Sequence, residues 1–319
     1  MSFSLSVSSD GDLNFAKGND LFNSQAWLDV LSKGLGARPI YVMDSSRETG
    51  LVIIVFAKGP FRIGYAGFPI GQSAESEGLS EAAFLQMLKA RFPLDIHLLR
   101  FCPSAFDRPW DFPPPVSTVT ETAIVDLQGW QVERLTKRVR RDVYRALRQG
   151  FACEDVSYIE QGQQLYGLYR TTVNLRGGVA RYSLKYFQAL TGLAMEDRRL
   201  RIFVSMKDDK VAGFIAVALS GKTAYYLHGA TDRKLAGLEL GDFLVFQAIE
   251  WAKSCGADRF NMMASPAHQT GLIRYKEKWG GISRPQATYE FPIRTIPFYA
   301  FKIANWAYAY GNSVFRSFK

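Results

Sequence analysis

Sulfur and imidazole are scarce in this chain. Its 319 residues include three cysteines, Cys102, Cys153 and Cys255, and three histidines, His97, His228 and His268. No two cysteines stand at CxxC spacing, which argues against a zinc site or a disulfide frame and for isolated reduced thiols. A phosphate-cradling GxxxxGK[ST] loop is missing, and so are HExxH and a GxSxG elbow. Metal-assisted and serine-type hydrolysis are therefore poor readings, and no metal ligand set is expected. The N-terminus has no cationic segment leading into an apolar core, so no export signal is expected and the thiols fit a cytoplasmic setting. No uncharged apolar run reaches the ~20 residues that span a bilayer. Tandem repeats and low-complexity tracts are also absent.

What is present is enough for a packed core. The chain is 47% hydrophobic and 22% charged, and its length suggests two domains or two closely packed halves. A net charge of +9 favours polyanionic partners: nucleic acid, anionic lipid or phosphorylated metabolites.

In chain order, the spacing of apolar residues predicts a helix over 24–35 with Ser24 as its N-cap. Strands follow over 38–43, 51–57 and 61–65, then a helix over 81–91 and a strand over 95–101. Four prolines between Asp107 and Ser117 exclude a helix there, and 120–127 reads as a strand. Next comes a strongly basic helix over 131–149, with Leu135, Val139, Val143 and Leu147 as its buried stripe and Gly150 as its stop. Its cations, Arg138, Arg141 and Arg145 among them, read either as a solvated face or as an anion-facing surface. A strand over 152–159 precedes helices over 162–174 and 183–194. Three antiparallel strands, 201–206, 210–219 and 222–229, are joined by short turns. A helix over 242–254, a strand over 259–263, a helix over 271–281 and a strand over 286–291 complete the second half.

The tail, 292–319, has no acidic residue and carries eight aromatics between Phe298 and Phe318. It reads either as a helix, interrupted at Gly311, that docks on the first half, or as a segment lying in an anionic membrane interface.

The element order of the second half resembles that of a GNAT-type acyltransferase. In that arrangement two central strands diverge, unpaired strand amides hold the donor, and a helix N-terminus receives its phosphates. The loop from Asp232 to Gly241 has glycines only at Gly237 and Gly241, unlike the Q/R-x-x-G-x-G/A loop of acetyl-coenzyme A users. Tyr225-Tyr226, Gly229-Ala230, Gly241, Ala248, Ala252, Gly256, Gly271-Leu272, Tyr275-Lys276 and Trp279-Gly280-Gly281 together resemble the FemAB family and the related CelD/BcsL-like acetyltransferase domain.

That resemblance implies an α/β fold of mixed sheets with two tandem GNAT-like halves. These are 1–150, with 292–319 docking on it, and 151–291 as the acyltransferase half. It implies an N-acyltransferase that moves an acyl or aminoacyl group onto an amine of a cell-envelope or polysaccharide precursor. No permanent cofactor is implied; the donor is acyl-coenzyme A, acyl carrier protein or aminoacyl-tRNA. Plain acetyl-coenzyme A-dependent acetylation of a sugar or protein amine is the alternative within the class. A catalytically idle scaffold binding RNA or anionic lipid is the alternative outside it.

Lys276, beside Tyr275, matches the family's aromatic-Lys pair and would place a cation near the developing oxyanion of aminolysis. His228 lies on the strand lining the notch, where a neutral imidazole could accept the nucleophile's proton. Gly237, Leu238 and Gly241, with Ala230 at the strand end, are the expected donor contacts. Arg138, Arg141 and Arg145 are the expected holders of a phosphorylated substrate.

Overall fold

Consecutive apolar residues can put both faces of a strand into a core. In β3 (Gly50–Lys58), Val52 and Ile54 join one hydrophobic cluster while Ile53 and Val55 join another. This is the period-2 signature of a strand covered on both sides. In the computed structural model, residues 6–8, 20–43, 50–71, 84, 95–107, 110, 112, 114–148, 151–207, 210–232 and 239–317 are described. The helix expected over 81–91 lies, apart from Phe84, outside the described residues.

The other strands are β1 (Ser6–Ser8), β2 (Arg38–Met43), β4 (Phe61–Ala66), β5 (Leu98–Phe101), β6 (Ser117–Ile124), β7 (Glu154–Asp155), β8 (Leu200–Lys207), β9 (Lys210–Ser220), β10 (Thr223–Thr231), β11 (Arg259–Ser265) and β12 (Ile282–Pro292). All twelve form one sheet in the order β1-β2-β3-β4-β5-β12-β6-β11-β10-β9-β8-β7. Strand β12 is the seam, antiparallel to β5 over Tyr289–Pro292 and to β6 over Ile282–Thr288. Most pairs are antiparallel; β4–β5 and β10–β11 are parallel. The fold is mixed α/β, with two GNAT-like halves joined through one sheet.

Seven helices cover it among the described residues: α1 (Gln25–Leu35), α2 (Lys137–Arg148), α3 (Gln161–Leu175), α4 (Leu184–Glu196), α5 (Leu240–Ser254), α6 (Thr270–Glu277) and α7 (Thr295–Ser317). Helix α1 starts where the Ser24 hydroxyl accepts the Trp27 N–H and stops at Gly36 in the left-handed region, where glycine is least strained. Helix α5 buries Leu240, Phe243, Leu244, Ala248, Trp251 and Ala252, a stripe at i, i+3, i+4 spacing. Asp242 in its first turn and Lys253 in its last oppose the helix dipole.

One core cluster runs through both halves. Trp27, Leu28 and Leu31 of α1 share it with Tyr186, Phe187 and Leu190 of α4 and with Phe214 and Tyr225. At the crossing of α1 and α4, a Cβ on Gly34 would stand 2.5 Å from the Tyr186 Cα. Ser183 caps α4, accepting the Tyr186 N–H at 3.1 Å, while its own hydroxyl donates to the Gly34 carbonyl at 2.6 Å. A backbone contact this close cannot be relieved by a rotamer change. Gly34→Ala is therefore expected to lower stability by about 1–3 kcal/mol, measured by urea denaturation. Wild-type stability in that variant would mean that the two helices do not meet at Gly34.

Several sequence expectations are corrected. The basic helix begins at Lys137, with a single 3-10 turn over Val132–Arg134 before it. Its buried residues are Val139, Val143 and Ala146, and Leu147 is exposed. The strand expected over 152–159 shrinks to β7, and that over 95–101 to β5. Strand β6 and helix α2 pair and pack with the second half's elements: β6 with β11, α2 with α5. Helix α7 runs through Gly311 without a break, and Phe301 near its start is buried against Ile63 and Leu98 of the first half.

Candidate active site

The site begins where the parallel pair β10–β11 comes apart. Its register covers Thr223, Ala224 and Tyr225 against Arg259, Phe260 and Asn261, yet β10 continues to Thr231 and β11 to Ser265. Each strand is bulged against its outer neighbour just past the last pair, β10 between Tyr226 and His228 and β11 between Asn261 and Ala264. A bulge bends its strand and raises the local twist, so two of them split the pair. Met263 takes a φ of 62°, unusual for an unbranched non-glycine residue. It is held there because the Asn261 carboxamide oxygen accepts its N–H at 2.7 Å.

A cavity of about 1370 Å³ opens in the split. Its walls come from α3 (Tyr169, Thr172), β10 (Tyr226 to Thr231), the start of α5 (Gly241, Asp242) and α6 (Gly271, Tyr275, Lys276). Past Tyr225 and Asn261 the facing edges of β10 and β11 lose their ladder partners, leaving backbone groups available to an extended ligand.

Lys276 is the buried cation of this cavity, 5% exposed. Its ammonium donates to the Met263 carbonyl at 2.7 Å. Burial pushes its pKa down to about 8, against the opposing pull of Glu121, whose charge raises it. An ammonium has three donors, so one is spent on Met263 and two remain for a ligand.

Behind Met263 lies a buried polar chain. Glu121 of β6 is 0% exposed and accepts from the Asn261 amide, from the Ser104 hydroxyl at 2.9 Å and from the Ala105 N–H. Burial raises its pKa, opposed by those hydrogen bonds. The sequence Glu121–Asn261–Met263–Lys276 thus links the floor of the sheet to the cavity wall.

Tyr275 ties α6 to α5: its hydroxyl donates to the Gly241 carbonyl at 3.5 Å. Lys278 lies 4.4 Å from the Tyr275 ring centroid and pairs with Asp242 at 2.7 Å. Burial raises the Tyr275 pKa well above its ordinary value, so the phenol keeps its proton and serves as a brace. Trp279 is fully buried, its carbonyl accepting the Trp130 indole N–H at 2.8 Å.

His228 lines the cavity, but its ring is enclosed by Tyr169, Tyr182, Tyr186 and Phe187. It hydrogen-bonds the Tyr186 hydroxyl through Nε2 at 3.0 Å, and burial lowers its pKa to about 3. A ring with so low a pKa is a weak base at neutral pH. The enclosure therefore makes His228 a wall of the cavity rather than the expected proton acceptor.

The three arginines do not reach the cavity. Arg145 pairs with Glu239 at 2.7 Å, just ahead of α5, while Arg138 and Arg141 lie near Asp142 and are exposed. Their helix packs on α5 through Val139, Val143 and Ala146. Of the expected donor contacts, Ala230 and Gly241 line the cavity, whereas Gly237 and Leu238 lie outside the described residues. A Cβ on Gly241 would make only ordinary contacts, at 3.8 Å or more.

Sequence reasoning missed Arg176, His268, Asp232 and Asp242 on the cavity wall and the whole Glu121–Asn261 chain. Arg176 could have been found as the cation beside Gly177-Gly178, a break between two helices. No local pattern marks Glu121, which reads as a polar residue within an apolar strand.

The family comparison agrees with this geometry. The acetyltransferase (GNAT) domain family matches residues 137–277, from the first residue of α2 to the last of α6. No curated protein matches the sequence. Among solved structures, FemX aligns with a TM-score of 0.64 at 14% identity over 88% of this chain and 94% of its own. The C-terminal domain of a protein assigned as a lysylphosphatidylglycerol synthetase from Agrobacterium fabrum aligns at 0.55, with 15% identity over 89% and 92%. A tandem GNAT protein from the clavulanic acid biosynthesis pathway aligns at 0.53, with 12% identity over 92% and 99%. At these identities the likeness concerns the fold. Residues 137–277 match the acetyltransferase (GNAT) domain family, within a two-half fold that resembles FemX over most of both chains.

Proposed function

We propose that this chain transfers an acyl or aminoacyl group from an activated ester or thioester to an amine carried by a cell-envelope or polysaccharide precursor. One observation carries the reading: the β10–β11 pair splits over a cavity whose wall presents the buried ammonium of Lys276. The donor's acyl arm lies along the split and hydrogen-bonds the strand edges. The acceptor's free amine attacks the carbonyl carbon; a C–N bond forms, the C–O or C–S bond breaks, and the amine's proton leaves with the departing oxygen or sulfur. Lys276 stays charged and donates to the oxygen on which negative charge develops. Met263 holds the ammonium in place, so little reorganisation is needed during the reaction. The name of the lysylphosphatidylglycerol synthetase neighbour, which points to an aminoacylated lipid, favours an envelope acceptor.

The acetyltransferase family match supports a second reading, in which acetyl-coenzyme A is the donor and a sugar or protein amine the acceptor. A donor screen separates the two. Aminoacyl-tRNA, acyl-coenzyme A and acyl carrier protein are each offered to the purified chain with amine-bearing envelope precursors and amino sugars, and products are read by mass spectrometry. One donor class is expected to give multiple turnovers without an acyl-enzyme adduct. A stable adduct, or no product from any donor, would refute direct transfer.

A further inference from the structure

Helix α7 docks by one side and leaves the other uncovered. Phe298 and Phe301 pack toward Phe61, Ile63, Tyr65 and Leu98, with Phe301 only 3% exposed. Lys302 reaches Glu290 at 2.9 Å, and Lys58 reaches Asn305 at 3.3 Å, fixing the helix on the first half. Half a turn away, Ile296, Tyr299, Ala300, Ile303, Ala304 and Ala307 recur at i, i+3, i+4, i+7 spacing, and all are exposed. Ile296 is 83% exposed, Tyr299 60% and Ile303 67%. A stripe of this kind on a helix already anchored by its opposite face is an interaction surface.

Charge and size select its occupant. From Pro292 to Lys319 the sequence has four cations and no acidic residue. Arg294, exposed at the start of α7, has no carboxylate partner among the described residues. A second copy of the chain would set these cations against themselves. The stripe has six residues, against the roughly 20–30 a side of a standard protein interface. A bilayer needs only a shallow apolar face with cations near it. No helix among the described residues is long and apolar enough to cross a membrane, so the geometry fits a helix lying in the interface plane.

We propose that the outer face of α7 docks on an anionic lipid surface. Ile296, Tyr299 and Ile303 enter the boundary between headgroups and acyl chains, while the neighbouring cations face lipid phosphates. The test is co-sedimentation of the full chain with phosphatidylglycerol/phosphatidylcholine vesicles and with phosphatidylcholine alone, at low and physiological salt. Binding to the anionic vesicles is expected to be about tenfold tighter or more and to weaken as salt rises. An Ile296→Asp, Ile303→Asp double variant is expected to lose that binding with Tm unchanged, because both side chains are exposed. Equal binding by variant and wild type, or binding indifferent to lipid charge, would overturn the proposal. So would a wild-type dimer in sedimentation velocity that the double variant dissolves into monomers, since a second copy would then cover the face.

Discussion

Lys276→Met is expected to lower turnover by about 10²–10³-fold, the usual loss on removing one oxyanion donor, while the folded protein is no less stable than wild type. The second half of that expectation follows from burial. Lys276 titrates at an ordinary 10.5 when solvated and at about 8 in the folded chain. Below pH 8 the folded protein therefore holds an ammonium that would be better placed in water, at a cost on the order of 3 kcal/mol. Between about pH 8 and 10.5 the unfolded chain binds a proton that the folded chain has released, so wild-type stability rises with pH across that window. Methionine matches the side chain's length, removes the charge and forfeits only the hydrogen bond to the Met263 carbonyl. The variant should gain about 1–3 kcal/mol at pH 7 and lose the alkaline rise in stability, both read by urea denaturation at several pH values. In wild type, turnover should fall as pH rises through about 8, where Lys276 loses its charge. A Lys276→Met protein that is destabilised yet active would show Lys276 to be a structural residue and end its catalytic assignment.

Such a trade of stability for function is where local sequence rules stop being informative. The apolar periodicities of β3, β9 and α5 were legible because burial on fixed faces dictates residue type at fixed spacing. The start of α2 is read too early because Leu135 stands four residues before Val139, at helical spacing, although it and Val132 belong to the preceding 3-10 turn. Both pack against the second core cluster from outside the helix, and the signal that matters is Thr136, a good N-cap residue placed just before Lys137. Strand β7 was over-extended because a sheet edge needs little pairing. Within the site, Lys276 was reachable through the aromatic-Lys resemblance. Glu121 was not: 140 residues separate it from Asn261, and only the antiparallel placement of β6 beside β11 brings them together. The arginines of α2 misled for a related reason. A cluster of cations in sequence says nothing of which way its helix faces, and this one turns its apolar side to α5 and leaves most of its charge in solvent.

Glu121 should be the most sensitive polar position of the sheet. Three donors, from Ser104, Ala105 and Asn261, converge on its carboxylate in a site without solvent exposure. Glu121→Ala strands all three, and an unpaired buried donor costs roughly 1–3 kcal/mol. A total loss of about 3–5 kcal/mol is expected by urea denaturation, after allowing for relaxation. Asn261 then loses the partner that orients it, the Met263 N–H loses its fixed acceptor, and the carbonyl that seats Lys276 shifts. A displacement of about 1 Å there is enough to lower turnover by about 10²-fold. Glu121→Gln comes nearest to isolating the electrostatic part: it keeps the side chain's shape and removes its charge, its oxygen still accepting from Ser104 and Asn261 while the bond from the Ala105 N–H is lost. The Glu121 charge raises the Lys276 pKa against desolvation, so without it that pKa falls below about 8. The alkaline limb of the kcat profile should move to lower pH in the Glu121→Gln protein, which is still folded. If the limb stays where wild type has it, Glu121 acts only as a structural acceptor, and the charge on Lys276 is set by burial alone.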